Sequence, residues 1–138
     1  MAYWLVKTEP YKYSWDQFEE DGQTYWDGVR NYLARNNMKA MKEGDLLLWY
    51  HSNKGLEIVG IAQIIKEAYQ DPTTDNTAWV VVEIKPLKRL VKSVSLAEIK
   101  ADIRLSKMSL VSFRRLSVQP VTAEEWDVVM ELSETKIP

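Results

Sequence analysis

Residues 46–51, LLLWYH, run through five apolar or aromatic positions without a polar break and end on the only histidine of the chain. The run is bounded by KEGD (42–45) and SNKG (52–55), so it has the length of a strand rather than a helix. A half-buried strand alternates apolar and polar residues, and this one does not. It is therefore expected to be a strand buried on both faces.

Other segments supply partners for it. YWLVKT (3–8) is β-branched and aromatic, stops before Pro10, and predicts a first strand. LEIVGIAQIIKEAYQ (56–70) predicts a long strand, with Gly60 marking a bulge or a close backbone approach. AWVVVEIKPLKRL (78–90) predicts another, with Pro86 near its end, and LSVQPV (116–121) a short extended piece limited by Pro120. Residues 3–8, 46–51 and 57–67 should share one curled sheet.

Helices are signalled by their caps. Ser14 with Gln17, Ser95 with Glu98, and Thr122 with Glu125 each have capping-box spacing, ahead of helices over 13–21, 94–102 and 122–132. From Asn31 to Lys42, Leu33, Met38 and Met41 oppose Arg35, Lys39 and Lys42, with Gly44 as the residue just past the helix end. GQTYWDGVR (22–30) and DPTTDN (71–76) are expected loops, and Gly55 supplies a positive φ in the SNKG turn. The sum is an α+β fold: one domain over 1–138, with a small curled mixed sheet or barrel and helices at its edges.

Several chemistries are excluded. Without cysteine there is no disulfide scaffold, thiol nucleophile or cysteine-ligated metal. One histidine and no His-Glu-x-x-His argue against a zinc site. No glycine-rich phosphate loop and no Gly-x-Ser-x-Gly is present, so no catalytic constellation, metal or cofactor is expected. The chain shows neither a secretory signal nor an apolar run of about 18 residues, so a soluble, cytosolic monomer without membrane contact is expected.

The net charge is -2, but its distribution is uneven. Residues 30–54 hold five basic and two acidic groups, and residues 85–115 nine and two. Either a basic face or charge scattered over several faces satisfies these counts. The six Trp and seven Tyr are a heavy aromatic load. Trp4, Trp79 and Trp126 fall in strand or helix patterns and are expected in the core, and Trp15 is expected to be structural. Trp26 stands outside regular structure, before an Asp-Gly turn, where a large flat side chain must be held or used. Trp49 and Tyr50 are adjacent in a strand and point to opposite faces. His51 is either a hydrogen-bonded structural residue or a functional one. Arg114 and Arg115 are surface partners or contacts to a phosphate or base edge. Together Trp26, Arg30, Asn31, Tyr50 and His51 suggest a pocket for a flat, polar ligand.

The segments YWLVKTEP, WDGVRNYLARNNMKAMKEGD, WYHSNKG, GIAQI, YQDPT and RRLSVQPVT, in this order across nearly the whole chain, closely resemble the EVE domain. The resemblance is to the branch that includes thymocyte nuclear protein-like proteins. It implies a PUA-like fold, a small twisted mixed β-barrel with peripheral helices, and kinship with YTH readers of methylated adenine. It also implies binding of a modified base, especially a modified cytosine, in DNA or RNA. Carried onto this chain, it makes Trp26 the wall that stacks on a flipped base. It adds Lys7, Thr8 and Glu9 at the end of the first strand, the backbone at Asp27 and Gly28, Arg30 and Asn31 at the helix start, Tyr50, His51 and Ser52 at the strand end, and Arg115, Leu116 and Ser117. Phosphate attraction is expected from Arg30, Arg115 and the basic stretch 85–107, and base discrimination from Trp26, Asn31, Glu9 and Tyr50. The rival readings are an enzyme acting on a modified base or nucleotide, with Glu9 or His51 as acid/base, and an adaptor for a small molecule or peptide.

Overall fold

The computed structural model describes residues 1–136. Among them, six strands form one mixed sheet: β1 (Tyr3–Thr8), β2 (Thr24–Trp26), β3 (Leu46–His51), β4 (Glu57–Gln70), β5 (Val80–Ser95) and β6 (Val118–Val121). The order is β2-β5-β4-β3-β1-β6. β1 and β3 are parallel and the other neighbours antiparallel. Five helices accompany them: α1 (Trp15–Asp21), α2 (Tyr32–Ala40), α3 (Leu96–Ala101), α4 (Ser109–Ser112) and α5 (Ala123–Leu132), with a 3-10 turn at Ile103–Leu105. The α+β expectation of a twisted mixed sheet with peripheral helices holds. No helix among the described residues is long and apolar enough to cross a membrane.

The unbroken apolar run of β3 is explained by helices on both faces. Leu47 and Trp49 enter a core with Trp15 and Phe18 of α1 and Ala34 and Met38 of α2. Leu46, Leu48 and Tyr50 enter a second core with Ile99 of α3, Leu110 of α4 and Trp126 and Val129 of α5. β1 alternates in the same way, with Trp4 and Val6 in the first core and Leu5 in the second. Trp126 is buried and stacks on Tyr3 with ring centroids 4.4 Å apart. The outer strands differ from these central ones. β2 has three residues, and β6 has four, one of them Pro120.

The caps at Ser95/Glu98 and Thr122/Glu125 are complete capping boxes. At α1 only half of one forms. Ser14 accepts from the Gln17 N–H, while the Gln17 amide donates to Asp21. Five sequence expectations need correction. α2 ends at Ala40, and Gly44 serves the turn into β3 with a φ of +93°. Ala34, not Leu33, lies on the buried face of α2. β5 continues through Pro86 to Ser95, the proline sitting where the pairing with β4 shifts register. Trp26 belongs to β2, opposite Val82, because residues 24–26 find a partner in distant β5. Trp79 precedes β5 and is half-buried rather than in the core.

Gly60 sits where the β4 pairings with β3 and β5 shift register. A Cβ there would meet the ring of Trp15 at 2.5 Å. Trp15 is itself packed edge to face against Phe18 and Trp49. Gly60→Ala is expected to destabilise the fold by about 1–3 kcal/mol, the usual cost of overpacking. Chemical denaturation measures it, and a neutral result would show that α1 can move outward.

Candidate functional site

The parallel strands β1 and β3 end together, with Thr8 opposite His51 and the Ser52 N–H donating to the Thr8 carbonyl at 2.8 Å. Beyond that rung lies a cavity of about 880 Å³. Lys7, Thr8 and Glu9 enter it from β1, and Tyr50, Ser52 and Asn53 from the end of β3. The segment from Thr24 to Arg30 forms another side, and Arg114, Arg115 and Ser117 a third. The cavity straddles the end of the sheet. Trp26 packs on the α1/α2 core, whereas Tyr50 and Leu110 belong to the other core and Leu96 packs against it.

Like Tyr13, Trp26 is a half-buried aromatic of the lining. Its ring meets Trp49 edge to face, centroids 5.2 Å apart and planes at 79°. Trp49 in turn stacks on Phe18 at 4.5 Å and contacts Trp15 at 5.6 Å. A packed aromatic cluster thus fixes the plane that Trp26 shows to the cavity.

The loop after Trp26 is held by a residue outside the expected site. Asp71 is fully buried and accepts from the Gly28 N–H at 3.3 Å and Arg30 Nη1 at 3.1 Å. It also accepts from the Thr73 N–H at 2.7 Å and from the Thr73 hydroxyl. Burial pushes its carboxyl up, but the bonds from Thr73, Arg30 and Gly28 outweigh that and hold it at about 2. The signal was available: Asp-Pro-Thr is a turn in which the first side chain bonds the backbone two residues on.

The far wall is tied down in the same manner. Lys7 Nζ donates to the Arg114 carbonyl at 2.6 Å. The buried Gln119 amide donates to the carbonyls of Leu116 at 2.9 Å and Phe113 at 3.1 Å. Both arginines, Arg114 and Arg115, line the cavity. Glu9 also lines it and accepts from the Asn53 amide at 2.7 Å. The Tyr11 hydroxyl, helped by Lys12 and Asn53 against partial burial, holds its carboxyl below the usual value. Burial lowers the pKa of Lys7 and raises that of Tyr50. Six basic residues (Lys7, Lys12, Arg30, Lys100, Arg114, Arg115) and two acidic ones (Glu9, Asp27) face this space, on a chain whose net charge is -2. Positive charge is concentrated here.

The stretch 85–107 contributes only Lys100 to that concentration. Arg89 pairs with Asp16 and Glu19, and Arg104 with Asp102 and Glu131. Three expected site residues lie outside the lining. Asn31 is the N-cap of α2, its side chain accepting from the Ala34 N–H at 2.9 Å. Leu116 is buried in the first core. His51 accepts the Trp15 N–H on Nε2 at 3.3 Å, serving the first turn of α1, and burial lowers its pKa, which suits a neutral acceptor. The other expected residues, from Lys7 to Ser117, come together. No group of three His, Cys, Asp or Glu able to hold a metal occurs among the described residues.

Comparison with known proteins agrees with this architecture. The profile of the EVE domain matches residues 2–132. Human thymocyte nuclear protein 1 is 35% identical over 96% of this chain and 74% of its own. The crystal structure of the human THYN1 protein in complex with 5-methylcytosine-containing DNA superposes with a TM-score of 0.91, at 34% identity, over 99% of this chain and 100% of that one. A solution structure of a Rhodopseudomonas palustris protein gives 0.93 at 52% identity, covering 97% of this chain and 94% of that one. The YTH domain of Zygosaccharomyces rouxii MRB1, in complex with N6-methyladenosine RNA, shares the fold at a TM-score of 0.63 and 11% identity, over 99% and 88% of the two chains.

Proposed function

The chain belongs to the EVE domain family, and on that premise we propose that its cavity binds a modified nucleobase, a modified cytosine foremost, turned out of a nucleic acid strand. The observation that carries the reading is Trp26: a half-buried indole, fixed edge-on against Trp49, lining a cavity whose charged groups are mainly basic. Unstacking a base costs a few kcal/mol, and stacking on an aromatic ring with hydrogen bonds at the base edge offsets it. Glu9, Tyr50, the backbone at Asp27 and the Gly28 carbonyl supply those edge contacts, the Gly28 N–H being held by Asp71. Arg30, Lys100, Arg114 and Arg115 attract the phosphates. The human relative, whose crystal structure contains 5-methylcytosine DNA, supports cytosine as the base.

Binding is favoured over catalysis on physical grounds. Glu9 is held in its ionised form by its neighbours, and His51 is occupied at the start of α1. Neither is placed as a proton shuttle with a matched partner.

The test is a titration of matched oligonucleotides, with and without 5-methylcytosine, against the wild type and Trp26→Ala at several salt concentrations. Trp26→Ala should weaken binding of the modified strand by about 1–3 kcal/mol and keep a cooperative melt. Rising salt should weaken both strands alike, since counterion release governs the phosphate contacts, and should leave the ratio between them unchanged. A ratio that collapses towards one would place selectivity outside the pocket. Mass spectrometry after prolonged incubation should return the oligonucleotide unaltered, and a changed mass would favour the enzyme.

A further inference from the structure

A second aromatic pair adjoins the cavity and has no part in it. Tyr32, the first residue of α2, is 62% exposed, and its ring lies 5.0 Å from that of Trp79 with 33° between the planes. Both rings carry a guanidinium: Arg30 lies 5.6 Å from the centre of Trp79, and Arg35 lies 5.0 Å from the centre of Tyr32. The cluster is fixed from two sides. Arg35 donates to the Ala78 carbonyl at 3.3 Å, and Arg30 is anchored by Asp71. Arg30 also lines the cavity, so the row Arg30, Trp79, Tyr32, Arg35 leads outward from the pocket. From Val29 to Met41 the chain carries no acidic residue, while Arg30, Arg35 and Lys39 are basic. Aromatic faces interleaved with arginine, continuous with a cationic pocket, match an unpaired polynucleotide strand.

We infer that Tyr32 and Trp79 form a stacking shelf for the unpaired base next to the one in the pocket, with Arg30 and Arg35 meeting the flanking phosphates. This rests on the pocket reading and adds to it a preference for single-stranded nucleic acid. The shelf takes any base, because every base has a flat face, so it adds affinity without selectivity for the modification.

The experiment titrates wild type, Tyr32→Ala and Tyr32→Phe with a single-stranded DNA oligonucleotide carrying one internal 5-methylcytosine, and with its unmodified counterpart. Tyr32→Ala should weaken both by about fivefold or more, leaving their ratio unchanged, and Tyr32→Phe should behave as wild type. The shelf is overturned if Tyr32→Ala binds both strands as wild type does, if the ratio falls together with the affinity, or if Tyr32→Phe loses as much as Tyr32→Ala. Equal binding of both strands by the wild type overturns the pocket reading alone, because the Tyr32 effect is still measured on either strand. Failure to bind either strand overturns both.

Discussion

Trp49→Ala is expected to destabilise the protein by about 3–5 kcal/mol and to remove selective binding with it. Trp49 is completely buried, and four aromatic rings rest on it: Phe18, Trp15, Tyr13 and Trp26. Its indole N–H has no hydrogen-bond partner among the described residues, so the loss is one of apolar burial and packing. The hole cannot close cheaply. Trp49 pairs with Gly60 across β3 and β4, and Trp15 already lies hard against Gly60. Urea unfolding should show the drop, and Trp49→Phe should recover much of it. Binding would suffer even at temperatures where the variant stays folded, because Trp26 loses the surface that sets its plane. A destabilisation below about 1 kcal/mol would mean that the cluster collapses into the space and is not rigid.

Asp71→Ala comes next, at about 3 kcal/mol. The difference between the ordinary carboxyl value of 3.8 and about 2 in the folded protein is worth about 2 kcal/mol at neutral pH. The part-buried hydrogen bonds from the Gly28 and Thr73 N–H groups are also lost, which adds to the cost. The sign follows from the lowered value. The contribution is complete above about pH 4 and disappears as pH falls through 3.8 towards 2. Wild-type stability measured down this range should therefore fall more steeply than that of Asp71→Ala, and parallel curves would remove Asp71 from the account. The variant should also bind the modified oligonucleotide more weakly, since Gly28 and Arg30 lose their common anchor.

Local chemistry was legible in the sequence where it is completed within a few residues. Ser95 with Glu98, Thr122 with Glu125, and the Gly55 turn are of this kind, and the unbroken run of β3 needed only its own length and composition. Gly60 was legible as a close approach, though not as an approach to Trp15. The misplacements involve partners far along the chain. Residues 24–26 become a strand only because β5 offers an edge, and His51 caps a helix start 36 positions earlier. Beside Arg30, Asn31 looks like a base contact, but a side-chain acceptor just before a helix satisfies a free N–H first. The strand pattern starts two residues before the strand itself, and Trp79, in that margin, is half-buried rather than in the core. Eleven of the fourteen residues carried over from the resemblance line the cavity, because it supplied segments that meet only in the fold. Asp71 was missed as a site residue because its work is done on the backbone behind the site.

The outer strands carry a consequence for encounters between copies of this protein. An exposed sheet edge is a template on which another chain can add its own strand. Here one outer strand, β2, has three residues, and the other, β6, has four, with a proline that has no N–H to donate. Of the long strands, β4 lies between β3 and β5, and β5, which meets β2 only over Val82–Ile84, has its Val91 and Lys92 N–H groups taken by Thr135 and Ser133 after α5. The fold thereby resists edge-to-edge polymerisation, so crowding many copies along one nucleic acid would not seed aggregation through the sheet.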